Sequence, residues 1–279
     1  MTTPPALLIA GIGTRDERRA GAFQDFVREL GAQHPDLPVA GGLTGPGAPP
    51  LSDAVARLVG EGVTRFAVVP LSLIPVEHPR DGVVAALAQE AERHADASFV
   101  FGRPLGPDPR LLRVLERRLD EALGGGRRSP SDRARTTVLL VGDGSPLPEG
   151  NAEVHRAARL LWEGRGFAGV ETAFASLAAP DVPSGLDRCV RLGAQRIVVL
   201  PYFLFGGDAL ERVRQQAEGW QLAYPEADVV YADVIGPTVE LAELVMERYE
   251  EVAGVPERAQ LEAEAAHAHS HPDIHADVR

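Results

Sequence analysis

A Gly-x-Gly pair directly after a four-residue apolar run occurs twice, as Gly11-x-Gly13 after Leu7-Leu8-Ile9-Ala10 and as Gly142-x-Gly144 after Val138-Leu139-Leu140-Val141, an offset of 142 − 11 = 131. The register persists, since Arg57, Gly62, Arg65, Val68 and Pro70 fall on Arg188, Gly193, Arg196, Val199 and Pro201 at the same offset. Near the end of each copy Gly106, Leu111 and Arg118 pair with Gly236, Leu241 and Arg248, where the offset is 236 − 106 = 130. A self-match this long marks a duplicated unit and constrains the fold before any other argument. Function is then sought where the two copies face each other, and where they differ.

Runs such as Phe66-Ala67-Val68-Val69-Pro70-Leu71 and Ile197-Val198-Val199-Leu200-Pro201-Tyr202 are continuously apolar, as central parallel strands covered on both faces require. The pattern predicts strands near 6–11, 38–43, 65–72 and 97–102, alternating with helices near 16–32, 51–61, 80–94 and 108–123. Strands near 137–142, 170–175, 196–203 and 228–233 repeat the series. The fold class is therefore α/β, with two tandem doubly wound parallel-sheet lobes facing a central cleft. The expected boundaries are 1–124 for the first lobe, 125–136 for a Gly-, Pro- and Arg-containing linker, and 137–254 for the second lobe. Residues 255–279, rich in Ala, Glu and His without apolar periodicity, read as a disordered tail. Its His267, His269, His271 and His275 suit transient metal binding.

A chain of 279 residues, 44% hydrophobic, suffices for two ordinary cores. The formal charge of −12 argues against nucleic acid or an anionic membrane as partner, because both need clustered cations. The single cysteine, Cys189, excludes an internal disulfide and reads as a small buried apolar residue. The first residues lack a basic leader region, and their apolar run is too short for a membrane span, so a cytoplasmic location is expected.

In an open parallel sheet ligands gather at the carboxyl ends of the strands. In the first copy these loops begin at Gly11, Leu43 and Ile74, and in the second at Gly142, Ala175 and Gly206. Gly11-x-Gly13-x-x-Asp16 lacks the third glycine of a dinucleotide fingerprint, and no organic cofactor is expected. The glycines read instead as permitting a tight strand-to-helix turn and close approach of a flat ligand. Arg15 reads either as an ion-pair partner of Asp16 or as a grip for a ligand carboxylate. Trp162, Phe203 and Phe205 read as core, and His34, His94 and His155 as incidental helix residues.

Leu7-Leu8-Ile9-Ala10-Gly11-x-Gly13-Thr14-Arg15-Asp16, Val69-Pro70-Leu71, Leu161-Trp162-Glu163-Gly164-Arg165-Gly166 and Val199-Leu200-Pro201-Tyr202-Phe203 together resemble the class II tetrapyrrole chelatases. The likeness is to their long, two-lobed sirohydrochlorin cobalto- and ferrochelatase type, over about residues 6–253. It implies insertion of a divalent metal, cobalt, iron or nickel, as substrate into a tetrapyrrole, with no nucleic-acid or membrane partner and with a monomer as a compatible state. Insertion needs a ligand for the ion and a base for two pyrrole protons, and neutral imidazole serves as either. The family places a histidine between the first glycines, a glutamate after the second strand and a histidine after the third. The corresponding positions here are Ile12, Gly45 and His78. His78 is thus the expected catalytic residue, and His78, Glu77 and Asp143 are the expected metal ligands. Gly11, Ile12, Gly13, Arg15, Arg80, Gly142 and Gly144 are the expected substrate contacts, with Arg212 as a further cation and Asp81 and Asp208 as nearby carboxylates. The alternative reading is a non-catalytic tetrapyrrole or metal carrier derived from a chelatase.

Overall fold

Side chains of a strand alternate between the two faces of its sheet, and here that alternation sorts the apolar residues into separate cores. The computed structural model describes residues 4–47, 49–75, 82–125 and 130–254. Among them β1 (Ala6–Ile12), β2 (Val39–Thr44), β3 (Arg65–Pro70) and β4 (Ser98–Phe101) form a parallel sheet in the order β2-β1-β3-β4. Strands β5 (Thr136–Gly142), β6 (Gly169–Phe174), β7 (Arg196–Pro201) and β8 (Val229–Tyr231) repeat it as β6-β5-β7-β8. The equivalence reaches the register: Leu7 lies opposite Val39 and Ala67, and its repeat mate Val138 lies opposite Val170 and Val198.

The first copy carries helices α1 (Glu17–Gln33), α2 (Leu51–Gly60), α3 (Val83–Arg93) and α4 (Pro109–Ala122). Within the stretch expected as a linker, α5 (Pro130–Arg133) forms one turn, and Arg133 pairs with Glu116 at 2.5 Å and Asp120 at 3.0 Å. The second copy carries α6 (Pro148–Trp162), α7 (Val182–Arg191), α8 (Asp208–Ala223) and α9 (Val239–Ala253). The expected tail, 255–279, lies outside the described residues. No described helix is long and apolar enough to cross a membrane.

Two separate cores, which the composition allows, are not what forms. Ala6, Leu8, Phe66 and Val68 pack into a cluster private to the first copy, and Leu139, Val141, Ile197 and Val199 into one private to the second. The alternate residues of the same strands, Leu7, Ile9, Ala67 and Val69 together with Val138, Leu140, Val198 and Leu200, join a single cluster shared by both copies. The cause is an exchange of helices. The last helix of each copy crosses over: α9 packs on β3 and β4, α4 packs on β7 and α6, and the two helices pack on each other. Cys189 is fully buried in the private cluster of the second copy, and burial pushes its thiol up to about 12.

Ion pairs hold the exchanged helices in register. Arg117 meets Glu240 at 2.7 Å and Arg110 meets Glu247, pairs spaced by 117 − 110 = 7 and 247 − 240 = 7 residues, so both lie on one face of an antiparallel helix pair. The repeat mates Arg118 and Arg248 each reach into the opposite copy. Arg118 donates to the carbonyls of Val234 at 2.8 Å and Ile235 at 3.0 Å. Arg248, 1% exposed, meets Asp108 at 3.3 Å and Glu251 at 2.8 Å.

Two outcomes follow from the exchange. A fragment of residues 1–124 should fail to fold as a native monomer, because β3 and β4 lose the helix that covers them; far-UV circular dichroism and gel filtration check this, and adding fragment 130–254 should restore the fold. Stability should also fall at acid pH. Arg117 holds the Glu240 carboxyl down to about 2 from an ordinary 4.5, and Arg110 holds Glu247 below its ordinary value. A carboxyl depressed in the folded state stabilises fully above its ordinary range and loses that contribution as pH falls toward the folded value. The urea midpoint should therefore drop between about pH 4.5 and 2, and Glu240→Gln should flatten that dependence.

Candidate functional site

The exchange sets the carboxyl ends of both sheets around one cleft of about 400 Å³. Its walls come from the loops after β1, β3, β5 and β7, that is Gly11–Asp16, Leu71–Ile74, Gly142–Gly144 and Tyr202–Ala209, with Arg19 on α1 and Arg212 on α8. Leu71, Leu73, Phe203 and Phe205 make the deep walls apolar, and Phe26 packs behind Phe205 with ring centres 6.1 Å apart.

The Gly-x-Gly turns owe their glycines to the neighbouring strand loop. The amide of Gly13 donates to the Thr44 carbonyl at 2.7 Å, and a Cβ on Gly13 would lie 2.1 Å from that oxygen and 2.3 Å from the Pro46 carbonyl. Gly144, at φ +96°, is more confined, since a Cβ there would lie 1.8 Å from the Ser176 carbonyl. The room a Cβ would take at these glycines is filled by the chain itself, and Gly11, Gly13, Gly142 and Gly144 all line the cleft. They also present to the cleft the residue between them. That residue is Ile12, 40% exposed, in the first copy and its repeat mate Asp143 in the second.

Asp16 and Arg15 do not form the expected pair. Asp16 caps two helices at once: its Oδ1 accepts the amides of Arg18 at 3.0 Å and Arg19 at 3.3 Å at the start of α1, and its Oδ2 accepts the amide of Asp208, the first residue of α8. Gly207, at φ +136°, permits this, because a Cβ there would lie 1.9 Å from Asp16 Oδ2. Burial acts to raise the Asp16 pKa, but the amides of Asp208, Arg19 and Arg18 outweigh it and hold the carboxyl below its ordinary value. Arg15 faces the cleft, and no carboxylate among the described residues forms an ion pair with it.

Asp143, expected as a metal ligand, lies between two guanidiniums. Its Oδ2 is 3.7 Å from Arg19 and its Oδ1 is 3.9 Å from Arg212. Two cations this close oppose the arrival of a third, so the site gives Asp143 the environment of a counter-ion. Asp208, which with Asp16 and Asp143 makes three carboxylates in the cleft among the described residues, pairs with Arg18 at 3.6 Å. His78, Glu77, Arg80 and Asp81 lie outside the described residues, although Leu71–Ile74, which lead toward them, line the cleft. Among the described residues no group of three or more His, Cys, Asp or Glu side chains stands placed to hold a metal ion.

The remaining readings divide. Phe203 and Phe205 are buried, but Trp162 is 40% exposed, with its indole N–H donating to the Phe167 carbonyl at 3.0 Å and Arg159 over its ring. His155 bonds Thr172 at 2.9 Å, and neither it, His34 nor His94 lines the cleft. Sequence reasoning passed over Arg19 and Tyr202. Arg19 was detectable, since it lies in the first turn of the helix that follows the Gly11-x-Gly13 loop. Tyr202 was not, because it sits in an apolar run; its hydroxyl is buried without a hydrogen-bond partner among the described residues, and burial pushes its pKa up.

The CbiX family model matches residues 6–122 and again residues 137–252. A sirohydrochlorin cobaltochelatase of Priestia megaterium is 32% identical over 203 residues, which make up 73% of this chain and 65% of that protein. A sirohydrochlorin ferrochelatase of Priestia megaterium is 28% identical over 190 residues, 68% of each chain. The chain thus spans just under two thirds of the first relative's length. The solved structure of SirB from Bacillus subtilis with Fe3+ superposes at a TM-score of 0.77 and 21% identity, covering 90% of this chain and 96% of that one, a likeness of fold.

Because Gly144 combines positive φ with a backbone oxygen where its Cβ would be, Gly144→Ala should destabilise the chain by about 3 kcal/mol. Chemical denaturation measures this. Gly219→Ala, inside α8 where a Cβ meets nothing within 4 Å, is the control and should raise stability by about 1 kcal/mol through helix propensity.

Proposed function

Since this chain belongs to the CbiX family, we propose that it is a sirohydrochlorin-type chelatase, inserting cobalt, iron or nickel into a metal-free tetrapyrrole bound in the cleft between the two sheets. The observation that carries the reading is the family match over both copies, whose facing strand ends enclose a single cleft with apolar walls and a rim that includes Arg15, Arg19 and Arg212. That combination suits a flat macrocycle fringed with carboxylates: the apolar walls take the ring, and guanidiniums take the acid groups.

Insertion exchanges two pyrrole protons for one divalent ion, so the protein must hold the ion while its waters leave and must accept protons as the ring nitrogens bind. His78 is the proposed ligand and proton acceptor, through the family's histidine position after the third strand, and Glu77 is the proposed oxygen ligand beside it. Ile12 faces the cleft from the position where the family has its other histidine, and supplies apolar contact to the ring. Support for the residue roles is the resemblance; support for the cleft is its geometry.

Anaerobic absorption spectra of sirohydrochlorin with the protein, with and without Co2+, Ni2+ or Fe2+, test the reading. Metal-dependent conversion above the spontaneous rate is expected, and a spectral shift without conversion would establish a carrier instead. His78→Ala should lower insertion at least about a hundredfold, the lower range for losing general acid-base help. Ile12→His with Gly45→Glu should raise insertion by restoring the family's ligand set. Gly45, at φ +74° with open space around it, accommodates the longer side chain at a strain cost of about 1 kcal/mol.

A further inference from the structure

The cleft holds a matched set of opposite charges, and they are not equally committed. Asp16 is tied by three backbone amides from two helices, and Asp208 gives its own amide to Asp16 while pairing with Arg18. Removing the Asp16 carboxylate from its partners would disturb two helix starts, and among the described residues the Asp208 carboxylate is paired with Arg18 alone. Asp143 differs. Its main chain is fixed from the other side, by the amide and hydroxyl of Ser176 donating to its carbonyl, both at 3.0 Å. Its side chain forms ion pairs with Arg19 and Arg212, at 3.7 and 3.9 Å, and with no other cation among the described residues. Charge-assisted bonds of guanidinium to carboxylate run near 2.8 Å, so both donor forks remain available for shorter bonds. Arg19 belongs to the first copy and Arg212 to the second, so a single carboxylate at Asp143 balances one cation from each side of the cleft.

We propose that Asp143 is an internal counter-ion that occupies the place of a ligand carboxylate, holding Arg19 and Arg212 toward the cleft until a polycarboxylate displaces it from both. The ligand class is a molecule whose carboxylates are far enough apart to reach arginines of both copies, with Arg15, in the cleft-lining loop ahead of α1, as the third contact. This deepens the chelatase reading and rests on it for the identity of the natural ligand, but the counter-ion role requires only an anion. Three consequences separate it from a role for Asp143 in holding metal. Neutralising Asp143 should tighten anion binding. Neutralising either arginine should weaken it. The gain from Asp143→Asn should vanish once both arginines are absent.

Isothermal titration of the full chain with benzenehexacarboxylate, without metal, reads these directly. Asp143→Asn should lower Kd about three- to tenfold, and Arg19→Gln or Arg212→Gln should raise it by a similar factor, the scale of partly exposed ion pairs. In Arg19→Gln/Arg212→Gln, adding Asp143→Asn should change Kd by less than about twofold. Thermal melts confirm folding, and Asp143→Ser is the second variant if Asp143→Asn melts early. Unchanged or weaker binding by both folded Asp143 variants would overturn the proposal, as would loss of Co2+ insertion in Asp143→Asn with no gain in anion affinity. Because the titration uses neither metal nor macrocycle, failure of the chelatase reading leaves it intact. Wild-type insertion beside an unresponsive titration would remove the counter-ion role alone.

Discussion

The exchange of last helices between copies is the constraint from which the rest of the structure follows. Each strand offers one apolar face to helices of its own copy and needs cover for the other. For β3, β4 and β7 that cover comes from the opposite copy, α9 over β3 and β4 and α4 over β7, while α1 covers β2 and α6 covers β5 and β6; together they merge Leu7, Ile9, Val138 and Leu140 into one cluster. The largest fully buried side chain, Arg248, lies at this crossing with carboxylates from both copies around it. Such a buried cation stabilises less by its own attraction than by what its absence would leave behind, since Asp108 and Glu251 would then keep only the Arg110 amide and Arg103, with no cation between them. The same packing fixes where the two sets of strand ends meet, so the cleft is a consequence of how the core closes.

Within this near-symmetric frame the chemistry is asymmetric. Ile12 and Asp143 occupy one position of the repeat, each presented by a glycine pair packed on the next loop, and one brings an apolar surface while the other brings charge. Asp16 and its repeat mate Leu147 diverge as well. Asp16 caps α1 and reaches α8, whereas Leu147 caps nothing, and Ser145 with Asn151 orders that turn instead. Duplication gave two equivalent helix starts; substitution at a few positions made one of them a bridge between copies and freed the other.

An acidic chain that binds a polyanion must gather its cations locally, because long-range steering works against it. The loops after β1 and the starts of α1 and α8 do this, placing Arg15, Arg18, Arg19 and Arg212 within a few residues of the cleft, each except Arg15 facing a carboxylate of the same protein. Arg15, Arg19 and Arg212 thus balance Asp16, Asp143 and Asp208 along the cleft, which keeps its walls from repelling one another.

The sequence by itself determined the duplication, the α/β class, the strand positions and those of α1, α2 and α4 to within two residues, because hydrophobic period and the spacing of matched residues are local properties of the chain. It also located the loops after β1, β3, β5 and β7, since parallel strands send their following loops to one end, but it named those after β2 and β6 as well, of which Leu43 alone lines the cleft among the described residues. It did not reveal that α4 and α9 trade places, because apolar positions such as Leu111 and Leu241 report that a face is buried and not what buries it. Nor did it separate Asp16 from Asp143: both are acidic residues in glycine-containing loops, and only the approach of the Asp208 amide to one and of Arg19 and Arg212 to the other made the first a double helix cap and the second a counter-ion. Contacts between residues more than a hundred positions apart depend on how the two copies dock, and docking is decided by the whole shared core.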